Sequence, residues 1–370
     1  MRAAILALDD LSRQDIGRWR ELAAEAVEPN PFFEPEYILP AAHWIGGRRL
    51  GVLVAQEDDE WSACMPVHQP RRWHHVPLAC VASWHHRYCF LGTPLVRADG
   101  RERAIATLAR RLMRQPGAAF AGLDAFAADG AIWDALRAVI QEEGSEALRV
   151  AEHERAVLRR RPGPHDYVKL KAKSRRELER KRRRLEDVLG AALETVDRAE
   201  DSGALNEFLA LEASGWKGQG GTAVASLQRD AEFFRTVCGS FRQLGRLHLL
   251  SLQADGQCVA MACNLRAGDG VFCVKIAFDE RWHRSSPGAQ LVLDHVWWFH
   301  EEASAGFMDS CVEPGSELVN RLWPDRRRIV SLALPAKSAS GRLARSAIAG
   351  AVRLRQGRAG SASGRHSAEA

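Results

Sequence analysis

Between residues 246 and 278 three apolar runs follow one another, separated only by the short polar pieces Asp255-Gly256 and Gly268-Asp269-Gly270. Asp-Gly pairs supply the left-handed residues of tight hairpin turns, so these runs read as neighbouring antiparallel strands, 246–253, 258–266 and 271–278. A three-strand meander that passes through a loop (280–287) into an apolar helix (288–305) is compatible with few folds. The pattern continues with a strand at 308–312, a short helix near 317–322 and a last strand at 328–334. Upstream lie a short strand at 193–196 and helices at 203–214 and 228–244, with a Gly-rich loop (215–222) between the helices.

The first half reads as mixed α/β with antiparallel pairing. A strand at 3–8 leads to a helix over 15–27, and two apolar runs, 49–56 and 61–69, flank the polar turn 57–60. A strand at 88–96, helices at 102–113 and 131–142, and strands at 118–126 and 147–151 follow. A chain of 370 residues accommodates two domains at about 100–200 residues each. Residues 153–173 break every periodicity and include Pro162 and Pro164, which puts the junction there. The expected domains are 1–155, 156–335 and a tail, 336–370. At 46% hydrophobic and 27% charged residues, the body has the composition of a folded globular protein. No stretch approaches the 18 or so apolar residues of a membrane span, and the eight cysteines are scattered without metal spacing, so a cytoplasmic protein with reduced, buried thiols is expected.

Charge is unevenly placed. Residues 155–184 hold 14 Lys and Arg against three acidic residues, and 337–370 hold seven against one, leaving an acidic remainder of −12 in a chain of net charge +5. Ser174 and Glu177 have capping-box spacing, Leu178, Leu185 and Leu189 make one narrow apolar stripe, and Gly190 suits a left-handed C-cap, so a basic helix is expected over 174–189. Its Arg175, Arg176, Arg180, Lys181, Arg182, Arg183 and Arg184 fit either a phosphate-bearing partner, RNA included, or a solvated face. The tail is rich in Ser, Gly, Ala and Arg and is expected to be disordered.

Strand 271–278 carries its own clue. Alternation puts the bulky Phe272, Val274, Ile276 and Phe278 on one face and Lys275 on the other. A mid-strand ammonium needs an anion or an opening, so Lys275 either faces a substrate groove or makes an internal ion pair with Glu212 or Asp309.

The order of elements resembles the GNAT acyltransferase fold. The segments that carry the likeness are Asn30-Pro-Phe-Phe33, His86-Arg-Tyr-Cys-Phe-Leu-Gly-Thr-Pro-Leu95, Lys173-Ser-Arg-Arg-Glu-Leu-Glu-Arg-Lys-Arg-Arg-Arg184, Leu211-Glu-Ala-Ser-Gly-Trp-Lys-Gly218, Gly221-Thr-Ala223, Lys275-Ile-Ala-Phe-Asp-Glu280 and Ser286-Pro-Gly288. Together they are similar to the BioF-like acetyltransferase domain family, including proteins labelled CelD, and more distantly to the Fem-type aminoacyl-transferases. The resemblance implies an α+β fold of two GNAT-like α/β domains in tandem, each with a mixed, mainly antiparallel sheet flanked by helices, the first domain degenerate. It implies acyl transfer from acyl-CoA or acetyl-CoA, without a metal, to an amine of a small-molecule, sugar or peptide acceptor in polysaccharide or cell-envelope metabolism.

In GNAT enzymes the donor's pyrophosphate rests on main-chain N–H groups where a loop enters the helix after the meander. The matching residues are Arg284, Ser285, Ser286, Gly288 and Ala289, although the family's Arg/Gln-x-x-Gly-x-Gly/Ala spacing becomes Arg-x-x-x-Gly-Ala here. Glu212 and Asp309 are each a candidate base or acceptor-orienting group, or else a cap or structural salt bridge, with Lys275 as a third catalytic candidate. Trp216 and Lys217 either close over substrate or, for the Trp, pack that loop down, and His248 and His283 are reserves. Where the Fem-type enzymes carry a transfer-assisting Lys, this chain has Arg321, which cannot act as a base. Trp84, His85, His86 and Tyr88 either stack on an acceptor or form a packed loop. The alternatives are a non-catalytic protein of an exopolysaccharide pathway and an aminoacyl-tRNA-using or RNA-binding transferase. No GxSxG, P-loop or HExxH pattern supports a serine hydrolase, an NTPase or a zincin.

Overall fold

The computed structural model describes residues 1–47, 49–167, 172–215, 220–221, 223–302, 304–312 and 317–366. The chain divides into two compact units. One comprises Met1–Glu28, Gly47–His153 and Arg328–Ala370, the other Pro29–Gly46 and Glu154–Arg327.

In the first unit strands Arg2–Ala7, Gly51–Glu57 and Glu60–His68 form an antiparallel series. The expected hairpin is present, with Asp58 and Asp59 both left-handed (φ 48° and 69°), the conformation of a two-residue turn matched to strand twist. Cys80–Ser83 pairs parallel with Phe120–Ala127, and Phe120–Ala127 pairs antiparallel with Asp325–Pro335, for example Leu123 with Leu332. Residues 328–335, expected in the second domain, therefore belong here. Helix Arg13–Ala24 begins at a capping box, Ser12 with Asp15, and buries Trp19 against Trp61.

The expected disordered tail is instead a helix, Ala339–His366. Ala344 and Ile348 are fully buried in a cluster with Trp73, Phe120 and Ala333. Two apolar residues four apart share one helix face, and that face packs this part of the helix onto the unit's core.

In the second unit the meander is Leu247–Ala254, Gln257–Ala267 and Gly270–Phe278, closed by turns at Asp255-Gly256 (φ 46° and 75°) and Gly268-Asp269. Glu194–Asp197 joins the first of these strands. Phe307–Asp309 pairs parallel with the third, but only from Gly270↔Phe307 to Phe272↔Asp309; the third strand then runs on to Phe278 beyond that pairing. Its register slips opposite Cys263 and Asn264, so that Lys275 faces Cys263 and Cys273 faces Asn264. The bulge takes up Val274 and reverses the alternation expected from sequence: Val271, Cys273 and Ile276 pack with helix Pro287–Glu301, whereas Phe272 packs edge-on against Phe32.

Pro29–Gly46 lies in this unit although it sits early in the chain. Phe32 meets Phe272, Tyr37 of helix Pro35–Trp44 meets Phe233 at 5.4 Å, and Glu34 pairs with Arg246 at 2.5 Å. The basic helix spans Ala172–Leu189, so Ser174 lies inside it and caps nothing. Glu177, the expected capping-box partner, is held by the Arg180 guanidinium at 2.9 Å. Gly190 ends the helix in the left-handed conformation, as its sequence position suggested.

Candidate active site

Leaving the meander, the chain makes a 3-10 helix, Glu280–Ser285, begun by Asp279, whose carboxylate accepts from Arg281 N–H and grips the Arg281 guanidinium. Ser286 follows with φ 53° and ψ 54°, a left-handed conformation uncommon for a residue with a side chain. Pro287 has no N–H to satisfy and starts helix Pro287–Glu301 with φ preset. Ala289 and Gln290 N–H groups donate back to Ser286 O at 2.9 and 3.2 Å, while Gly288 N–H has no partner among the described residues. The several free amides expected here reduce to one, at the positive end of a 15-residue helix.

A cavity of about 450 Å³ opens over this junction, within the ~300–1,000 Å³ usual for ligand sites. Ser286, Gly288 and Ala289 line it together with His283; Arg284 and Ser285, also expected, are not among its lining residues. The opposite wall is the basic helix, through Ser174, Leu178 and Lys181, and Arg321 closes one side. Lys181 Nζ donates to Ser286 Oγ at 3.0 Å, which aims an ammonium at the helix start. Gln290 Nε2 donates to Leu178 O at 2.8 Å and ties the two helices together. A Cβ on Gly288 would come within 3.3 Å of the Phe278 ring, so the glycine serves close packing as well as access.

Glu212 and Lys275 form the ion pair that was one of the two expected outcomes, at 2.9 Å. The Glu212 carboxylate is fully buried and also accepts from Val224 N–H at 2.9 Å; the Lys275 side chain keeps 17% exposure. Asp309 is a correction. It is fully buried between Arg155 (2.7 Å) and Arg327 (2.9 Å), and its Oδ1 also accepts from Cys311 N–H. Burial alone would raise its pKa, but the two guanidinium charges hold it below the ordinary value. A carboxylate with no route to solvent, stabilised in its ionised form, does not collect protons from a substrate, so Asp309 is structural. Trp216 and Lys217 lie outside the described residues. His248 is committed to Asp197 at 2.7 Å. In the first unit Trp84, His86 and Tyr88 are buried, so that loop is packed rather than an open stacking surface.

Lys181 and Leu178 are site residues that sequence reasoning did not single out. Lys181 is one of five consecutive cations, 180–184, and its contact with Ser286 separates it from the rest.

Residues 172–307, which span the basic helix, the meander and the helix that starts the cavity, match the family model described as Acetyltransferase (GNAT) domain. This stretch is thus similar to GNAT-type acetyltransferase domains. In overall fold the chain is similar to the crystal structure of FemX, with a TM-score of 0.59 at 10% identity over 90% of this chain and 97% of that one. A conserved protein of unknown function from Bacteroides thetaiotaomicron VPI-5482 gives 0.52 at 12% identity over 88% and 98%. The C-terminal domain of a putative lysylphosphatidylglycerol synthetase from Agrobacterium fabrum gives 0.50 at 14% over 90% and 94%. No curated protein sequence matches the chain. The mixed α/β architecture and the distant likeness to Fem-type transferases hold for the fold. Among the described residues no helix is long and apolar enough to cross a membrane.

Proposed function

We propose that the second unit transfers an acyl group from acyl-CoA, acetyl-CoA included, to an amine of a small-molecule, sugar or peptide acceptor. The observation that carries this reading is the cavity at the start of helix Pro287–Glu301, where Gly288 N–H, the Lys181 ammonium and the helix dipole converge on one space. An anionic carrier is the chemistry such a junction accommodates, and these residues would hold its pyrophosphate. Arg321 and His283, which line the same cavity, add cationic and N–H contacts.

The carrier supplies an activated thioester. The chain's own residues bind it and orient the partners. The amine attacks the thioester carbonyl carbon, the C–S bond breaks, the thiol leaves with a proton, and the amine loses one, so that amide and free thiol are the products. Lys275, tethered by Glu212, stands on the part of the third meander strand that continues past its parallel partner, and its ammonium polarises the acyl oxygen.

The test is thiol release from acetyl-CoA and longer acyl-CoAs across a panel of amines. Lys181→Ala is expected to raise the donor KM by about tenfold with kcat preserved, because it removes a binding contact alone. Glu212→Gln and Lys275→Met are expected to lower kcat by about tenfold or more at an unchanged donor KM. Absence of thiol release with every donor and amine, or unaltered kinetics in all three variants, would overturn the assignment.

A further inference from the structure

A buried polar cluster lies between the meander and helix Pro287–Glu301, and acyl transfer as described does not use it. Asn264 is the register partner of His248 on one neighbouring strand and of Cys273 on the other, so the three side chains share one face of the sheet. The helix covers that face, since Cys273 packs in one cluster with Val292 and Val296, and the His248 ring lies 4.8 Å from Trp298. Two residues before Asn264 on the same strand, Ala262 shares a cluster with Leu291. Between Leu291 and Trp298 the helix therefore advances from the Ala262 row to the Asn264 row. His295, fully buried, falls on that stretch and on the same sheet-facing stripe.

These polar groups are short of partners. Asn264 is fully buried, and neither its carboxamide oxygen nor its nitrogen is hydrogen-bonded among the described residues. Both ring nitrogens of His295 are in the same position. His248 Nδ1 lies 2.7 Å from Asp197 Oδ2, while its buried Nε2 has no partner among the described residues. Val292, Val296 and Phe299, packed alongside, are apolar and cannot answer them. Buried amides and imidazoles are nearly always satisfied, by protein or by ordered water, because desolvating them unpaired is costly.

The chemistry of the cluster selects what fills that role. Burial lowers the His295 pKa to about 3 and keeps the ring neutral, so one nitrogen carries a hydrogen and the other a lone pair. With the Asn264 carboxamide, donors and acceptors are presented together. A metal ion would serve only the lone pairs and leave the Asn264 NH2 and the ring N–H unanswered. Among the described residues, moreover, no group of three or more His, Cys, Asp or Glu is placed to hold one. Water both donates and accepts, and it suits His248 Nε2 with or without a hydrogen there.

We infer that ordered water occupies an internal hydration site beneath helix Pro287–Glu301, bridging the Asn264 carboxamide, the His295 ring and His248 Nε2. The site lies under the helix whose first turn lines the donor cavity, yet it stands whether or not acyl transfer is the reaction.

The full chain is crystallised and its ordered solvent located by diffraction with anomalous data. A water peak within hydrogen-bonding distance of both Asn264 and His295, without anomalous signal, is expected. Unfolding midpoints are then compared at pH 8, where His295 is neutral in the folded and the unfolded chain alike. Asn264→Leu and His295→Leu are each expected to lower the midpoint, and the double variant to lower it by less than the single losses added, because each substitution alone strands what the other group shared. Side chains bonded directly to one another with no water between them, a dry gap, a metal peak, or strictly additive losses would overturn the inference.

Discussion

Glu34 and His295 show how single buried groups set the acid–base behaviour of the second unit. Desolvation raises the Glu34 pKa to about 7, against 4.5 when exposed, and Arg246 offsets only part of this. Between those values the folded chain keeps a proton that the unfolded chain has lost, so folding stability falls as pH rises from about 4.5 to 7. The slope approaches about 1.4 kcal/mol per pH unit. His295 works the other way. Its ring is fully buried, neither nitrogen is hydrogen-bonded among the described residues, and burial lowers its pKa to about 3. The unfolded chain takes up a proton below pH 6.5 that the folded one refuses, so His295 costs stability as the solution is acidified. Denaturant titrations at pH 5 and pH 8 separate the two effects. Glu34→Gln is expected to lose less stability than the wild type between pH 5 and pH 8, and His295→Leu to gain most at pH 5. Parallel pH profiles for wild type and variants would refute both assignments.

At the scale of elements, strand Phe307–Asp309 depends on the charge cluster inside it. Asp309 pairs with both Arg155 and Arg327, which are nearly buried. Asp309→Asn removes the carboxylate that both guanidinium groups share, and a loss of about 3–5 kcal/mol is expected in chemical unfolding. A catalytic role would instead leave stability intact and abolish turnover. The meander was legible in the sequence because Asp-Gly turns determine hairpin geometry locally. Ser286, Gly288 and Ala289 followed from it, since the entry to the next helix is set by chain order. The bulge at Val274 was not legible, because it arises from pairing between strands and leaves no compositional mark. The attachment of Pro29–Gly46 to the second unit escaped for a related reason: Phe272 and Phe233, the partners of its Phe32 and Tyr37, lie some 200 residues away along the chain. For the C-terminal helix a signal was present, in the four-residue spacing of Ala344 and Ile348, but average composition hid it.

Along the chain an acidic body carries its positive charge on residues 155–184, which include the basic helix, and on the C-terminal segment. Lys181 and Arg182 turn inward, Lys181 to Ser286 and Arg182 to Asp294, whereas Arg175, Arg176, Arg183 and Arg184 are exposed. The helix therefore binds inward through specific contacts and presents a general positive field outward. The most direct measurement of the central claim is calorimetric titration of the full chain with coenzyme A. Saturable binding is expected, weakened at least tenfold by Gly288→Val, which crowds Phe278 and the free amide, and again by Lys181→Ala. If coenzyme A and its acyl thioesters release no heat of binding, or bind equally well to both variants, the junction is not a donor site and the account fails.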